Sequence, residues 1–243
     1  MAFKHRIAPG CEWIAPLVGQ ITATGSVPQD ADIIYAGRNT LSVVQAGGRA
    51  VCIKQYKVPI FINRMAYALL RPSKASRAFS NALRLIGLGI ATATPYAYIE
   101  ERGPFMLRRS WFLCEHISNA TDLRYIDQRP DYPEIAANIA ALMHRLHDCG
   151  VWMKDFSCGN ILMRGVTDDF VLIDINRMEF GVTSRAKFDR DFSRIVDTED
   201  AVRVIARAYA PDAEPRAIKA FRDLRRRIAR KRRFKKLFKP SRK

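Results

Sequence analysis

Acidic residues are missing from a long stretch of this chain: no Asp or Glu occurs between Lys54 and Glu100. That segment offers no carboxylate to its own lysines and arginines. The five cysteines, Cys11, Cys52, Cys114, Cys149 and Cys158, are odd in number and scattered, with no C-x-x-C pair. Neither a zinc site nor a disulfide framework follows from such spacing, and reduced thiols in a cytosolic protein are expected. No window reaches the ~18 consecutive apolar residues of a membrane-spanning helix. The best one, Ile86 to Ile99, is broken by glycines and Pro95. Residues 1–25 hold no apolar run of signal-peptide length. A soluble chain is expected, at most peripheral on a membrane. No internal repeat is visible.

What is present is enough to build a core. The chain has 243 residues and 48% hydrophobic content, which suits one large domain or two small lobes sharing a cleft. The formal charge of +17 is unevenly placed, because Arg222 to Lys243 carries thirteen Lys/Arg against one acid, Asp223. A composition shift that sharp marks a tail with its own task. Three segments are expected: an N-terminal lobe over 1–117, a second lobe over 118–221 and a basic tail over 222–243.

The most informative stretch is Met153-Lys154-Asp155-Phe156-Ser157-Cys158-Gly159-Asn160, followed by the apolar run Phe170 to Ile173 that ends in Asp174. Phosphoryl transfer needs a carboxylate beside the attacking hydroxyl and hard oxygen ligands for magnesium on the nucleotide. In the pattern H-R-D-x-x-x-x-N the Asp is the base, and the Asn and a later Asp hold metal. Asp155, Asn160 and Asp174 have that order and spacing. Any one of them alone is an ordinary loop residue. The context raises the odds: a helix closes at His144 to Asp148 and Gly150, the loop follows, and Ile161-Leu162-Met163, a turn at Arg164 to Asp169 and a second strand lead to Asp174.

Upstream, Asp32 to Ala36, Leu41 to Ala46 and Arg49 to Tyr56 read as strands joined by Gly37-Arg38-Asn39-Thr40 and Gly47-Gly48. Lys54, in Val51-Cys52-Ile53-Lys54, stands in the place of the V-A-I-K lysine that holds nucleotide phosphates. Phe61 to Leu70 and Ser73 to Leu88 read as helices, Tyr96 to Glu101 and Phe105 to Ile117 as strands. The end of the latter, Phe112 to Ile117, resembles a kinase hinge, so Glu115 and Ile117 are candidates for adenine contact through their backbone. Asp131 caps a helix with Pro133 in its first turn. His144 and His147 lie three apart on it with no third ligand, which argues against a metal pair. Phe188 to Tyr209 and Ala213 to Phe238 complete the helices.

Taken together these motifs resemble the bacterial lipopolysaccharide kinase family, over about Ile33 to Arg194. The resemblance rests on Gly37 to Thr40, Ile53-Lys54, Ser73-Lys74-Ala75, the Gly89 to Pro95 turn, Lys154 to Leu162 and Ile173 to Met178. It implies an α+β, protein-kinase-like fold with a small antiparallel sheet lobe and a mainly helical lobe. It also implies an enzyme that uses ATP and Mg2+ to phosphorylate a Kdo or heptose hydroxyl on a lipid A-core precursor. Lys54 would hold phosphates together with the Gly37-Arg38-Asn39 turn, Asp155 would take the sugar proton, and Asn160 and Asp174 would bind magnesium.

Two departures from kinases stand out. A helix glutamate normally pairs with the strand lysine, but the position falls near Ser80 or Asn81, so a different polar contact must orient Lys54 or the site is impaired. Met153 replaces the histidine before the catalytic Asp. Both leave open a binding-only pseudokinase. A kinase of another anionic glycolipid or of a small molecule is the other alternative. The tail alone suggests nucleic acid, but it explains none of the Asp/Asn pattern and holds few stacking aromatics. Phe221, Leu224, Ile228, Phe234 and Phe238 share one broad helix side amid Arg and Lys. The tail is therefore expected to dock Arg222 to Lys243 on the anionic cytoplasmic face of the inner membrane.

Overall fold

The computed structural model describes residues 2–57, 72–104, 106–165 and 168–237. Two compact units emerge: the chain up to Asn119 together with Leu172–Arg177, and Ala120–Val171 together with the chain from Met178 onward. The sequence division at 117 left residues 172–177 with the second lobe; by contact they belong to the first unit.

The first unit is built on a six-stranded antiparallel sheet: β1 (Ala2–Ile7), β2 (Asp32–Ala36), β3 (Asn39–Ala46), β4 (Arg49–Tyr56), β5 (Pro95–Arg102) and β6 (Leu107–Glu115), in the order β1-β5-β6-β4-β3-β2. Side chains alternate along a strand. Val51 and Ile53 of β4, Ile99 of β5 and Trp111 and Leu113 of β6 enter one core with Ile14, Leu17, Val18 and Ile21. The last three of these lie on helix α1 (Ala15–Thr24), which has a proline in its first turn and stops at Gly25 in the left-handed conformation, φ +66°. Alternation then puts Cys52, Lys54 and Tyr56 on the opposite face.

Helix α2 (Lys74–Gly87) is capped by Ser73, whose Oγ accepts from the Ser76 N–H at 3.0 Å. Helical spacing in the sequence predicts a buried face of Ala75, Phe79, Ala82, Leu83 and Ile86. The first three are buried with Ala78 and Leu85, whereas Leu83 is half-buried and Ile86 exposed, so the face is rotated toward Ala78 and Leu85. Phe79 meets Tyr98 of β5 edge to face, ring centroids 5.4 Å apart. Strand β6 is shorter than the expected 105–117, and the Phe61–Leu70 helix lies outside the described residues.

The second unit holds helices α3 (Tyr132–Asp148), α4 (Glu199–Tyr209) and α5 (Ala213–Leu237). Small strands β7 (Ala120–Asp122), β8 (Trp152–Met153), β9 (Ile161–Arg164), β10 (Phe170–Leu172) and β11 (Met178–Glu179) frame the loops, with β7 antiparallel to β9 and β8 to β11. The single helix expected over 188–209 is broken. One turn spans Arg185–Phe188, a 3-10 turn spans Asp191–Ser193, and α4 restarts at its cap Thr198, whose Oγ1 accepts from Ala201 N–H at 3.3 Å. Asp191 is buried against His147, which turns the chain inward where a continuous helix would keep it on the surface. Asp131 precedes α3, but its carboxylate accepts from Arg129 and does not cap the helix.

Helix α5 is continuous across the start of the basic segment. Ala213, Ala217, Ile218 and Phe221 are buried, Arg222 joins Glu199 at 2.6 Å, and Arg225 joins Asp197 at 3.0 Å. The arginines from 226 to 233 and Phe234 are exposed. Among the described residues no helix is long and apolar enough to cross a membrane.

Candidate active site

In the first unit the sheet face that carries Lys54 also receives Asp174. Lys54 Nζ lies 2.6 Å from Asp174 Oδ1, an ion pair between residues 120 positions apart. Asn176 Nδ2 donates to the same oxygen at 2.7 Å. The segment that holds Asp174 is tied down on both sides. Leu172 N–H donates to Ala91 O at 3.0 Å and Thr92 Oγ1–H to Leu172 O at 2.7 Å, while Asn81 Nδ2 of α2 donates to Ile175 O at 2.8 Å. Asp174 itself adopts φ +54°, a left-handed conformation that aspartate tolerates and bulky residues resist.

This geometry answers the missing helix carboxylate. The partner of Lys54 is Asp174 itself. Ser80 is exposed, and Asn81 is buried with its amide spent on the Ile175 carbonyl. A glutamate at 81 would set a carboxylate against that carbonyl, so it supplies no ion pair for Lys54. Asn81→Leu is expected to lower stability by ~1–3 kcal/mol, the cost of leaving a buried carbonyl unmet. Thermal melting checks this, and an unchanged midpoint would remove Asn81 from the anchoring role.

A further cation, Lys74, shares the neighbourhood. Lys74, the first residue of α2, has its ammonium 5.9 Å from the Tyr56 ring centroid, and that of Lys54 is 5.5 Å from it. Burial lowers the pKa of Lys74, and Arg38 and Arg77 lower it further, while Asp174 opposes them. Composition hid this residue among six basic ones in the acid-free stretch. Its readable signal is its place directly after the Ser73 cap. The turn Gly37-Arg38-Asn39 joins β2 to β3, with Gly37 N–H donating to Asn39 O at 3.1 Å and Asn39 Oδ1 accepting from Lys57 N–H at 3.2 Å. At the end of β6, the Glu115 carboxylate accepts from Thr94 Oγ1–H at 2.7 Å, and its N–H donates to Thr94 O at 2.8 Å. His116 N–H goes to Ala50 O at 3.2 Å, which leaves Ile117 as the hinge residue outside these bonds.

In the second unit β8 leads into the Asp155 loop. Phe156 N–H donates to Met153 O at 3.0 Å, and both side chains are buried, so Met153 packs where a kinase has histidine. Asn160 Nδ2 donates to Asp155 O at 2.8 Å and closes the loop, which leaves Oδ1 as the acceptor of that amide. Arg194 Nη1 stands 3.8 Å from Asp155 Oδ1. His147 is structural: burial lowers its pKa to about 4, its Nδ1 meets Tyr209 Oη at 2.9 Å and its Nε2 meets Asp191 Oδ2 at 3.1 Å. His144 stacks on the Tyr209 ring at 3.9 Å. Among the described residues no three His, Cys, Asp or Glu side chains are grouped to hold a metal.

A model of the lipopolysaccharide kinase (Kdo/WaaP) family matches residues 35–209, well over half of the chain. The chain belongs to that family. Among solved structures, WaaP in complex with acyl carrier protein matches with a TM-score of 0.60 at 17% identity, over 97% of this chain and 100% of that one. A MAP kinase from Leishmania major matches with a TM-score of 0.41 at 19% identity, over 69% of this chain and 51% of that one. No curated protein matches the chain. The likeness to WaaP shows the fold, an α+β kinase-like arrangement of sheet unit and helical unit, as the sequence motifs imply.

Family membership makes this lipopolysaccharide kinase a phosphotransferase that uses ATP. The matched residues run from the last part of β2 to the end of α4, and so contain Lys54, Lys74, Asp155, Asn160 and Asp174. All of α5, including the exposed basic end, lies beyond them.

Proposed function

We propose that this lipopolysaccharide kinase transfers the γ-phosphoryl group of ATP to a hydroxyl of an inner-core sugar, Kdo or heptose, on a lipid A precursor. The observation that carries this reading is the Lys54–Asp174 pair, a cation and a carboxylate 2.6 Å apart, with the segment that holds Asp174 fixed by three separate hydrogen bonds. Phosphoryl transfer divides into two tasks, and each unit bears residues suited to one. In the first unit Lys54 and Lys74 neutralise and orient the nucleotide phosphates, the Gly37-Arg38-Asn39 turn contributes to holding them, and the backbone from Glu115 to Ile117 receives the adenine.

In the second unit Asp155 accepts the proton of the sugar hydroxyl, and the Arg194 guanidinium stands 3.8 Å from its carboxylate. The amide of Asn160 fixes the loop that presents Asp155. Asp174 and Asn160 offer hard oxygens of the kind magnesium takes when one or two carboxyl or amide groups and the substrate phosphates complete its shell. Asp174 in the first unit and Asn160 in the second are the residues that would hold magnesium, which would supply charge neutralisation for the nucleotide phosphates. Catalysis by these groups is mainly positioning and electrostatic stabilisation.

The exposed basic end of α5, with Arg226, Arg230, Arg233 and Phe234, supports docking on an anionic lipid surface, where each cation contributes about 1 kcal/mol. A lipid acceptor on the inner face of the inner membrane would suit that placement.

The deciding experiment incubates the purified protein with labelled ATP and lipid A precursors that carry or lack Kdo. Label is expected on the Kdo-bearing lipid and is expected to vanish when EDTA removes divalent metal. ATP that is bound but never consumed, on any precursor, would overturn the enzymatic reading and leave a pseudokinase.

A further inference from the structure

A second cluster of charge lies in the second unit, beside the Asp155 loop. A cleft of about 520 Å³ opens between the turn region 186–194 and one face of α5, with Trp152 and Lys154 also lining it. That volume falls within the range of small-molecule sites, roughly 300–1,000 Å³. From α5 come Arg216, Lys219, Asp223 and Arg227, and the spacing of three and four residues sets them on one helix face. From the facing segment come Asp189, Arg190 and Arg194.

The charge of this cleft is one-sided. Both of its acids already have cationic partners, Asp189 with Arg216 at 3.3 Å and Asp223 with Arg226 at 3.6 Å. Among the described residues no ion pair involves Lys154, Arg190, Lys219 or Arg227, and all four are exposed. A cleft with four unneutralised cations favours an anion, since a concave wall focuses the field of its charges. The cleft also touches the catalytic loop directly. Lys154 precedes Asp155 in the chain, and Arg194 both lines the cleft and reaches the Asp155 carboxylate.

We infer that this cleft is the acceptor subsite, and that it takes a saccharide bearing an anionic group, carboxylate or phosphate, next to the hydroxyl that is phosphorylated. The inference rests on the kinase reading above and adds to it a place and a charge requirement for the acceptor. Lys219 and Arg227, on α5, hold the anionic group. Arg190 and Lys154 flank the sugar nearer the loop. Arg194 bridges the two functions, because it senses the acceptor anion and the Asp155 carboxylate at once. A neutral sugar gains nothing from these cations, so charge on the acceptor selects the substrate as firmly as its hydroxyl geometry does.

The test uses the full-length protein and the double variant Lys219→Glu, Arg227→Glu, with melting curves confirming that both are folded. Binding is read first, by calorimetry without nucleotide, using free Kdo as the carboxylate probe, a hexose phosphate as the phosphate probe and glucose as the neutral one. Wild type is expected to bind at least one anionic sugar, more weakly as salt rises, and to bind glucose about tenfold or more weakly. The double variant is expected to lose that preference. Comparing Kdo with the hexose phosphate tells carboxylate from phosphate recognition.

In the turnover assay the acceptor KM of the variant should rise about tenfold or more, with the KM for ATP moving far less. If the variant binds anionic sugar as wild type does, or keeps its acceptor KM, the cleft is not the acceptor subsite, and the kinase reading survives. If neither protein consumes ATP on any acceptor, the kinase reading fails, and the sugar-binding preference alone decides whether the cleft takes an anionic saccharide.

Discussion

Asp174→Ala is expected to lower phosphoryl transfer by at least ~10²-fold, the scale on which removing one positioned electrostatic group acts. The loss has two parts. The carboxylate that would meet magnesium is gone, and Lys54 loses the partner at 2.6 Å that aims its ammonium. Nucleotide binding should weaken in magnesium and change much less in its absence. Backbone strain is a competing cause, because Asp174 sits at φ +54° and alanine resists that conformation by ~1–2 kcal/mol. Asp174→Gly separates the two, since glycine takes positive φ freely. Both variants should be equally inactive in a labelled-ATP assay. Recovery of turnover in the glycine variant would assign the loss to strain and withdraw the metal role from Asp174.

Asp155→Asn should remove ~10²–10⁴-fold of the transfer rate, the usual contribution of a general base. Amide and carboxylate are nearly isosteric, and the Asp155 contact made by Asn160 is to the backbone carbonyl, so the loop should keep its shape. Magnesium-dependent ATP binding should accordingly persist while turnover falls, which isothermal titration beside a turnover assay can read. Activity within a few-fold of wild type would take Asp155 out of the mechanism.

Much of this was legible before any coordinates. The strands 32–36 and 49–56 keep the bounds read from the sequence; the second is half-buried and writes its alternation locally, whereas the first is exposed throughout and is marked by its Ile-Ile-Tyr run and the glycine turn that follows. The motif at Asp155 to Asn160 is local too, and its loop closes through a contact five residues apart. What stayed hidden depends on distant partners. Strand β1 is an edge strand whose existence comes from pairing with β5, with Ala2 opposite Arg102, 100 residues on, and Ile7 opposite Ala97, 90 residues on. The break at 189–198 comes from Asp191 turning inward to His147, 44 positions earlier. The search for a glutamate opposite Lys54 looked in the helix because kinases place it there, whereas the ion pair spans 120 residues. Periodicity reports how a segment meets a core; it does not report which residue across the fold answers a charge.

The way the chain threads its two units restricts how the protein can be divided. Residues 172–177 belong by contact to the first unit, yet they are flanked on both sides by sequence of the second. No single cut therefore releases the first unit whole. A fragment ending at Asn119 would lose the segment that meets Asn81, Thr92, Ala91 and Lys54, and with it four polar contacts of a region built to receive them. The metal-binding candidate thus cannot be inherited with the nucleotide unit alone. Gene fragments that shuffle only the first half of this chain would carry the lysine and leave its aspartate behind.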